Sequence, residues 1–385
     1  MADSYFFIFL TWLALQQTGS PLYAGALLMA NGIPRLLLML FGGVLADRVA
    51  PQVILRLGNI VQAAGLVFIF IWLAFDAVPL PVLFAIAIIF GTVDAFSAPA
   101  STSAIPRIVP RAKLAAANGV VQSTEMLTFV LGTLVTGIIL QFNNLELATG
   151  VNIGMYVIAA LIFFTVKMKF KPDEAVQKER QLTLIKEGVK YVWKKPVLRA
   201  NALLLAATNI AVSGPISIGF LLIVTEKMNL GPIFYTFIFV AFGVGTILGA
   251  IIAGTRKSVK GPGPWLVASY VLNGLAFIGI AFVTNIWILL IAAALLGLFG
   301  GFSGTINATW MQLSTRKNML GRVGAITMVA ALAFDPFSQG ITGAVSEWSL
   351  EGLFIISGVF LLVATLIVVS FNKVLLSMET LELQK

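Results

Sequence analysis

The sequence predicts an all-α membrane protein of twelve transmembrane helices in two pseudo-symmetric six-helix bundles, and three observations carry that expectation. Of 385 residues, 59% are hydrophobic and 11% charged, with a mean hydropathy of +0.99, whereas soluble domains carry about a quarter charged residues. The apolar runs are continuous rather than alternating, which selects helices over a barrel. A dozen helices of about 20 residues consume roughly 240 residues and leave a plausible remainder for loops. This composition excludes a soluble enzyme, a disordered chain and a nucleic-acid-binding module.

Gly, Pro and charge clusters mark the breaks between runs. The first run, 4–17 (SYFFIFLTWLALQQ), is short for a span and is followed by TGSPL at 18–22. Runs at 22–46, 53–75, 80–104, 114–140 and 147–166 complete the first half. The second half reads as 197–224, 232–254, 265–284, 286–311, 320–345 and 352–371, with GPGP at 261–264 as a turn. The domains predicted are thus a first bundle over 1–166, a linker over 167–196, a second bundle over 197–371 and a tail over 372–385.

Charge sets the orientation. With the N-terminus inside, nearly all of the 25 basic residues fall on the cytosolic side. Lys227 alone lies outside, and Arg35 lies within a span. Both termini are therefore expected in the cytosol, and the net charge of +9 marks topology rather than acidic partners. Met1-Ala2-Asp3-Ser4 lacks the basic region of a signal peptide.

Within the linker, Leu182, Ile185, Val189, Val192 and Trp193 recur at helical spacing opposite Lys186, Glu187, Lys190 and Lys194. That pattern predicts an amphipathic helix on the membrane surface, read as a tether between bundles. The halves repeat weakly: Arg256 follows the eighth span 208 residues after Arg48 follows the second, and Lys317 stands 204 residues after Lys113. Gly245 and Gly249 in the eighth span, and Gly300 and Gly304 in the tenth, form GxxxG pairs expected to serve packing within the chain.

Residues 43–55, GVLADRVAPQVIL, resemble the signature of the major facilitator superfamily, G-x-L-A-D-R-x-G-R-[RK]-x-x-[LI]. Gly43, Leu45, Ala46, Asp47, Arg48 and Leu55 match, while Ala50, Pro51 and Gln52 replace the usual Gly and two basic residues. The stretches TGSPLYAGALLMANGIPRLLLMLFGGVLADR and FGTVDAFSAPASTSAIPRIVPRAKLAAAN are similar to the macrolide-efflux and enterobactin-exporter branch of drug:proton antiporters. The resemblance implies a monomeric alternating-access carrier with a cavity lined by spans 1, 2, 4, 5, 7, 8, 10 and 11. It also implies that Gly43, Asp47 and Arg48 belong to a latch whose acid lies near the N-terminus of the eleventh helix, where the helix dipole favours an anion. In that branch TGSPL marks the outer end of the first helix. Only 17 residues precede it here, so the first helix is expected to be truncated, the chain beginning too late through either a misassigned start or a truncation, with Asp3 inside the membrane.

Charges inside spans cost about 2.5–3.5 kcal/mol on the insertion scale and need a reason. Arg35, Asp94, Glu125 and Asp335 fall in the middle third of their spans, and Asp3 is a fifth candidate. Burial disfavours the charged form of a carboxyl, so these acids are candidates for exchanging a proton with substrate. With neither His nor Cys in the chain, carboxylates are the economical proton route. Arg35 reads equally as a structural ion-pair partner of Asp94 or Glu125, and Asp335, ahead of Pro336, reads as a structural bend. Phe90, Phe96, Phe129, Phe302, Trp310, Phe334 and Phe337 are aromatic candidates for stacking, though none stands out among 29 phenylalanines.

No P-loop, metal-ligand cluster or nucleophile–base arrangement occurs. The expectation is a non-enzymatic carrier of the bacterial cytoplasmic membrane. It has no cofactor or metal, is driven by the proton gradient, and takes small molecules and protons but no nucleic acid as partners. Drug-like or macrolide-like export by proton antiport leads; export of a siderophore or other native metabolite, and a decayed non-transporting carrier, are the alternatives.

Overall fold

The computed structural model describes residues 1–75, 78–108, 114–166, 186, 188–255, 258–259, 262–315, 320–371 and 381–382. They form two compact units, Met1–Arg180 and Gln181–Lys385. The first contains α1 (Ala2–Thr18), α2 (Pro21–Arg48), α3 (Pro51–Leu73), α4 (Leu80–Ile108), α5 (Leu114–Leu140) and α6 (Leu145–Thr165). The second contains α7 (Pro196–Lys227), α8 (Pro232–Thr255), α9 (Pro262–Ala281), α10 (Ile286–Ser314), α11 in two segments (Leu320–Leu332 and Asp335–Ser346) and α12 (Leu350–Phe371). Nine helical stretches among the described residues are long and apolar enough to cross a membrane. The sole β pairing among them is a two-residue ladder, Ser258 with Glu382 and Val259 with Leu381.

The helix ends follow local chemistry. Proline opens α2, α3, α7, α8 and α9, where its missing N–H costs nothing and its fixed φ suits the first turn. The GPGP segment expected as a turn therefore contributes its Pro262 to the start of α9. Asn144 caps α6 by accepting from the Leu147 N–H at 2.7 Å, and Asn285 caps α10 through the Trp287 N–H at 2.8 Å. Gly19 ends α1 in the left-handed region at φ 62°, with its N–H on the Leu15 carbonyl.

Two spans depart from simple helices. The run expected at 197–224 extends to Lys227 and contains π-helical turns at Pro215–Gly219 and Ile223–Lys227. Pro215 cannot donate to the ladder, which the wider turn accommodates, and the Tyr235 hydroxyl donates to the Ser217 carbonyl there. The eleventh span, expected as one run over 320–345, breaks at Ala333–Phe334 and restarts at Asp335-Pro336. The second segment thus has Pro in its first turn.

Within each unit the helices pair in the same way. In the first unit α2 packs on α4, α3 on α6 and α1 on α5; in the second α8 packs on α10, α9 on α12 and α7 on α11. Glycine makes the α2–α4 and α8–α10 crossings possible. A Cβ on Gly42 would lie 2.0 Å from the Ala95 carbonyl oxygen, and one on Gly91 would lie 1.8 Å from that of Asn31. In the second unit Gly245 and Gly249 meet the Ala294 and Leu298 carbonyls at 2.0 Å by the same measure. The partner pair on α10 is Gly297 and Gly301, which face the carbonyls of Phe242 and Thr246. The sequence-expected pair on α10, Gly300 and Gly304, has nothing within 4 Å; Gly300 stands one residue, about 100° of helix, from the contact residue Gly301.

Gly91→Val is expected to lower stability by about 1–3 kcal/mol or to abolish folding, since a backbone carbonyl cannot swing aside. Gly300→Ala is expected to be neutral or to stabilise by up to about 1 kcal/mol, because Ala is the better helix former. Thermal unfolding of the purified variants in detergent checks both.

Candidate functional site

Three of the charges flagged by the sequence converge in the first unit. Asp3 on α1, Arg35 on α2 and Asp94 on α4 line one cavity of about 110 Å³, with Asn31, Phe6, Phe90 and Tyr156 among its walls. Each acid has a neutral hydrogen-bond donor. The Tyr156 hydroxyl donates to Asp3 Oδ1 at 2.7 Å, and the Gln62 amide donates to Asp94 Oδ1 at 3.1 Å. Arg35 lies within electrostatic reach of Asp94, as does Asp3. Among the described residues Arg35 makes no direct ion pair with either acid. Arg35 acts on Asp94 through space, and a direct-contact form of the ion pair considered from the sequence is not made among the described residues.

The helices that hold these groups are locked by the packing around them. The α2–α4 crossing at Gly91 and Asn31 lies one turn from Arg35 and Asp94, and the Asn31 amide donates to the Ala87 carbonyl at 3.2 Å. Pro34 lies inside α2 beside Arg35, so the Pro in GIPRLLL leaves a gap in the α2 backbone ladder at the cavity. Phe6 stacks on Phe90 with ring centroids 3.8 Å apart, and Phe90 meets Tyr156 edge-on at 5.8 Å. The Tyr5 hydroxyl donates to the Ala148 carbonyl at 2.8 Å, tying α1 to α6.

The other sequence candidates lie elsewhere. Glu125 is exposed on α5 and does not line this cavity. Asp335 belongs to the second unit, at the restart of α11, where the Asn209 amide donates to its Oδ1 and to the Ala331 carbonyl released by the break. Asn209 stands 206 residues after Asp3, within the spacing that separates the weak repeats. The latch segment is helical rather than a loop: α2 runs through Arg48 and the connection to α3 is Val49-Ala50. The side chains of Gly43, Asp47 and Arg48 lie outside the described residues, as does that of Trp310. Of the other aromatic candidates, Phe302 is buried in the core of the second unit, while Phe334 and Phe337 are exposed.

Sequence reasoning missed Gln62, Tyr156, Phe6 and Asn31. Gln62 and Asn31 carried a signal, being amides inside apolar runs. Tyr156 and Phe6 carried none in a chain rich in aromatics. Tyr156 comes from α6, a span outside the set that the resemblance implies for the transport cavity, and it supplies the donor to Asp3.

Two six-helix units with charges gathered inside membrane-spanning helices make a polytopic carrier of the secondary-transporter class. The Major Facilitator Superfamily profile matches residues 1–254, and the chain belongs to that superfamily. It is 25% identical to the Multidrug efflux pump Tap of Mycolicibacterium fortuitum, over 87% of this chain and 83% of that protein. It is likewise 25% identical to the Enterobactin exporter EntS of Salmonella typhi, over 79% of this chain and 72% of that one. A solved POT family transporter in complex with 5-aminolevulinic acid shares the fold, with a TM-score of 0.72 at 14% identity over 97% of this chain and 94% of its own. The protein is thus a non-enzymatic, multi-pass membrane transporter of that superfamily, similar to a multidrug efflux pump and an enterobactin exporter.

Tyr156→Phe removes the donor to Asp3 and is expected to cost about 0.6–1.7 kcal/mol, the range for hydrogen bonds within membranes. Phe90→Ala, which removes both ring contacts and opens a void, is expected to cost about 3–5 kcal/mol. Thermal unfolding in detergent measures each loss.

Proposed function

We propose that this protein exports lipophilic, often cationic, small molecules by proton antiport with alternating access. It works as a monomer in the cytoplasmic membrane, with both termini in the cytosol and no cofactor. The observation that carries the reading is the convergence of Asp3, Arg35 and Asp94 on one cavity inside the spans of the first unit. The efflux and exporter relatives support the direction of transport.

The charge balance of the cavity suggests how exchange proceeds. With both acids ionised, Arg35 offsets one of them and leaves a net charge of about one negative unit in a low-dielectric surround, which is costly. A single proton neutralises it, and so does a single monovalent cation. The two ligands therefore compete for one charge. Loading a proton from outside and a cationic substrate from inside exchanges them without net charge movement. Gln62 and Tyr156 donate to the acids, so neither acid is left without a hydrogen-bond partner once its proton has gone. Phe6, Phe90 and Tyr156 supply an apolar aromatic wall beside the charges that suits a lipophilic cation. A second reading, export of a catecholate siderophore or other native metabolite, is favoured by the similarity to an enterobactin exporter.

The experiment is export by inside-out vesicles with an imposed pH gradient, against a panel of lipophilic cations, macrolides and catecholate siderophores. Wild-type protein is expected to drive gradient-dependent transport that a protonophore abolishes. Asp94→Asn and Asp3→Asn are each expected to remove the gradient-driven component. Glu125→Gln, which lies off the cavity, is expected to retain most of it. Full gradient-dependent export by both aspartate variants would overturn the carboxylate mechanism, and transport of siderophores alone would select the second reading.

A further inference from the structure

Immediately before α7 the chain forms a helix at 188–194, and it belongs to the second unit. Its side chains divide into three stripes. Val192, 3% exposed, enters the unit's core beside Leu198, Leu204, Leu266 and Val368. Val189 and Trp193, at i and i+4, point outward and are 45% and 57% exposed. Lys190 and Lys194 follow them by one position, and with Lys186, one turn earlier, they form a parallel exposed cationic stripe. The single apolar face expected from the sequence is split in two: one side seats the helix in the second unit, and the other faces away. Seated in that way, the helix is no longer a free tether, and its outer stripes hold a fixed orientation.

Position and chemistry together specify what lies against those stripes. The helix ends where the span Pro196–Lys227 begins, which places it at the boundary of the hydrocarbon. The neighbouring Lys195 lies over the Tyr191 ring at 5.0 Å and its carbonyl accepts the Arg199 N–H, so the junction is ordered. A Trp beside a Val at that depth suits the interfacial layer, where tryptophan is enriched. Lysines one position further round sit where headgroup phosphates lie, and each contributes about 1 kcal/mol near an anionic leaflet. A protein partner would need complementary carboxylates on a surface that also has to fit beside the bilayer. The membrane itself supplies both an apolar layer and anions.

We propose that the helix at 188–194, together with Lys186, is a docking ledge for anionic phospholipid. Val189 and Trp193 enter the interfacial layer, and Lys186, Lys190 and Lys194 hold the phosphate groups. Because Val192 shares a core with α7, α9 and α12, lipid held on the ledge stabilises the second unit.

The chain contains no cysteine, so single-cysteine spin labels report these positions without background. Full-length Val189→Cys, Trp193→Cys, Lys190→Cys and Lys194→Cys are labelled in nanodiscs of phosphatidylethanolamine with phosphatidylglycerol. Labels at 189 and 193 are expected to relax with lipid-dissolved oxygen and to be shielded from an aqueous nickel chelate, with the preference reversed at 190 and 194. In a second measurement, the phosphatidylglycerol-dependent rise in the thermal unfolding midpoint of wild-type protein is expected to be lost in the combined Lys186→Gln, Lys190→Gln, Lys194→Gln variant. Inorganic phosphate added to phosphatidylcholine nanodiscs is expected to produce no rise. Three results would overturn the proposal: nickel access at 189 and 193, shielding of both from both reagents as by a covering protein, or a lipid-dependent rise that survives in the triple variant. A rise with free phosphate alone would also overturn it, by making the stripe a general anion site.

Discussion

Hydrocarbon offers a protein neither hydrogen bonds nor a hydrophobic force that pulls helix to helix, and the structure follows from that constraint. Backbone groups are satisfied inside helices. Buried hydroxyls turn back on their own helix, as Thr11 does to the Phe7 carbonyl, Thr136 to Gly132 and Thr365 to Leu361. Helices associate where glycine lets backbones meet, at Gly42 and Gly91 in the first unit and at Gly245, Gly249, Gly297 and Gly301 in the second. Charges that enter the spans gather where other polar groups can receive them.

That gathering is the functional consequence. Asp3, Arg35 and Asp94 come from three helices, and their meeting depends on the α2–α4 crossing and on α1 being tied to α6 through Tyr5. The glycine contacts one turn from the charged residues set the helix spacing, and the helix spacing sets how closely two acids and one arginine share a cavity. Packing and chemistry are therefore not separable here. A residue such as Gly91, which carries no charge, positions the site as directly as Gln62 or Tyr156.

The two units repeat their helix pairings but not their chemistry. In the first unit the place near the start of α1 is an acid, Asp3, hydrogen-bonded by Tyr156. In the second, Asn209 occupies the corresponding place in α7 and holds both the acid at the α11 restart and the carbonyl freed by the break. An amide can bridge an acceptor pair, whereas an acid there would repel Asp335. The second unit also concentrates the irregular backbone, with π turns in α7, and its Lys227 joins Glu351 at 3.1 Å and the Ala281 carbonyl at 2.7 Å.

Composition, run length and charge placement determined by themselves that the chain is a twelve-span membrane protein with a superfamily signature, because the cost of a polar group in hydrocarbon is written residue by residue. They also singled out Asp3, Arg35 and Asp94, since any charge within an apolar run is visible. Only the tertiary structure decided that these three share a cavity that Glu125 does not line, that Tyr156 serves Asp3, and that Gly297 and Gly301 rather than Gly300 and Gly304 carry the α8–α10 crossing. Only it separated Val192 from Val189 and Trp193 on the helix before α7. Each of these is a question of which way a helix is rotated about its axis. In a helix apolar on every side, hydrophobic periodicity leaves that rotation open, and it is set only when neighbouring backbones close on one another.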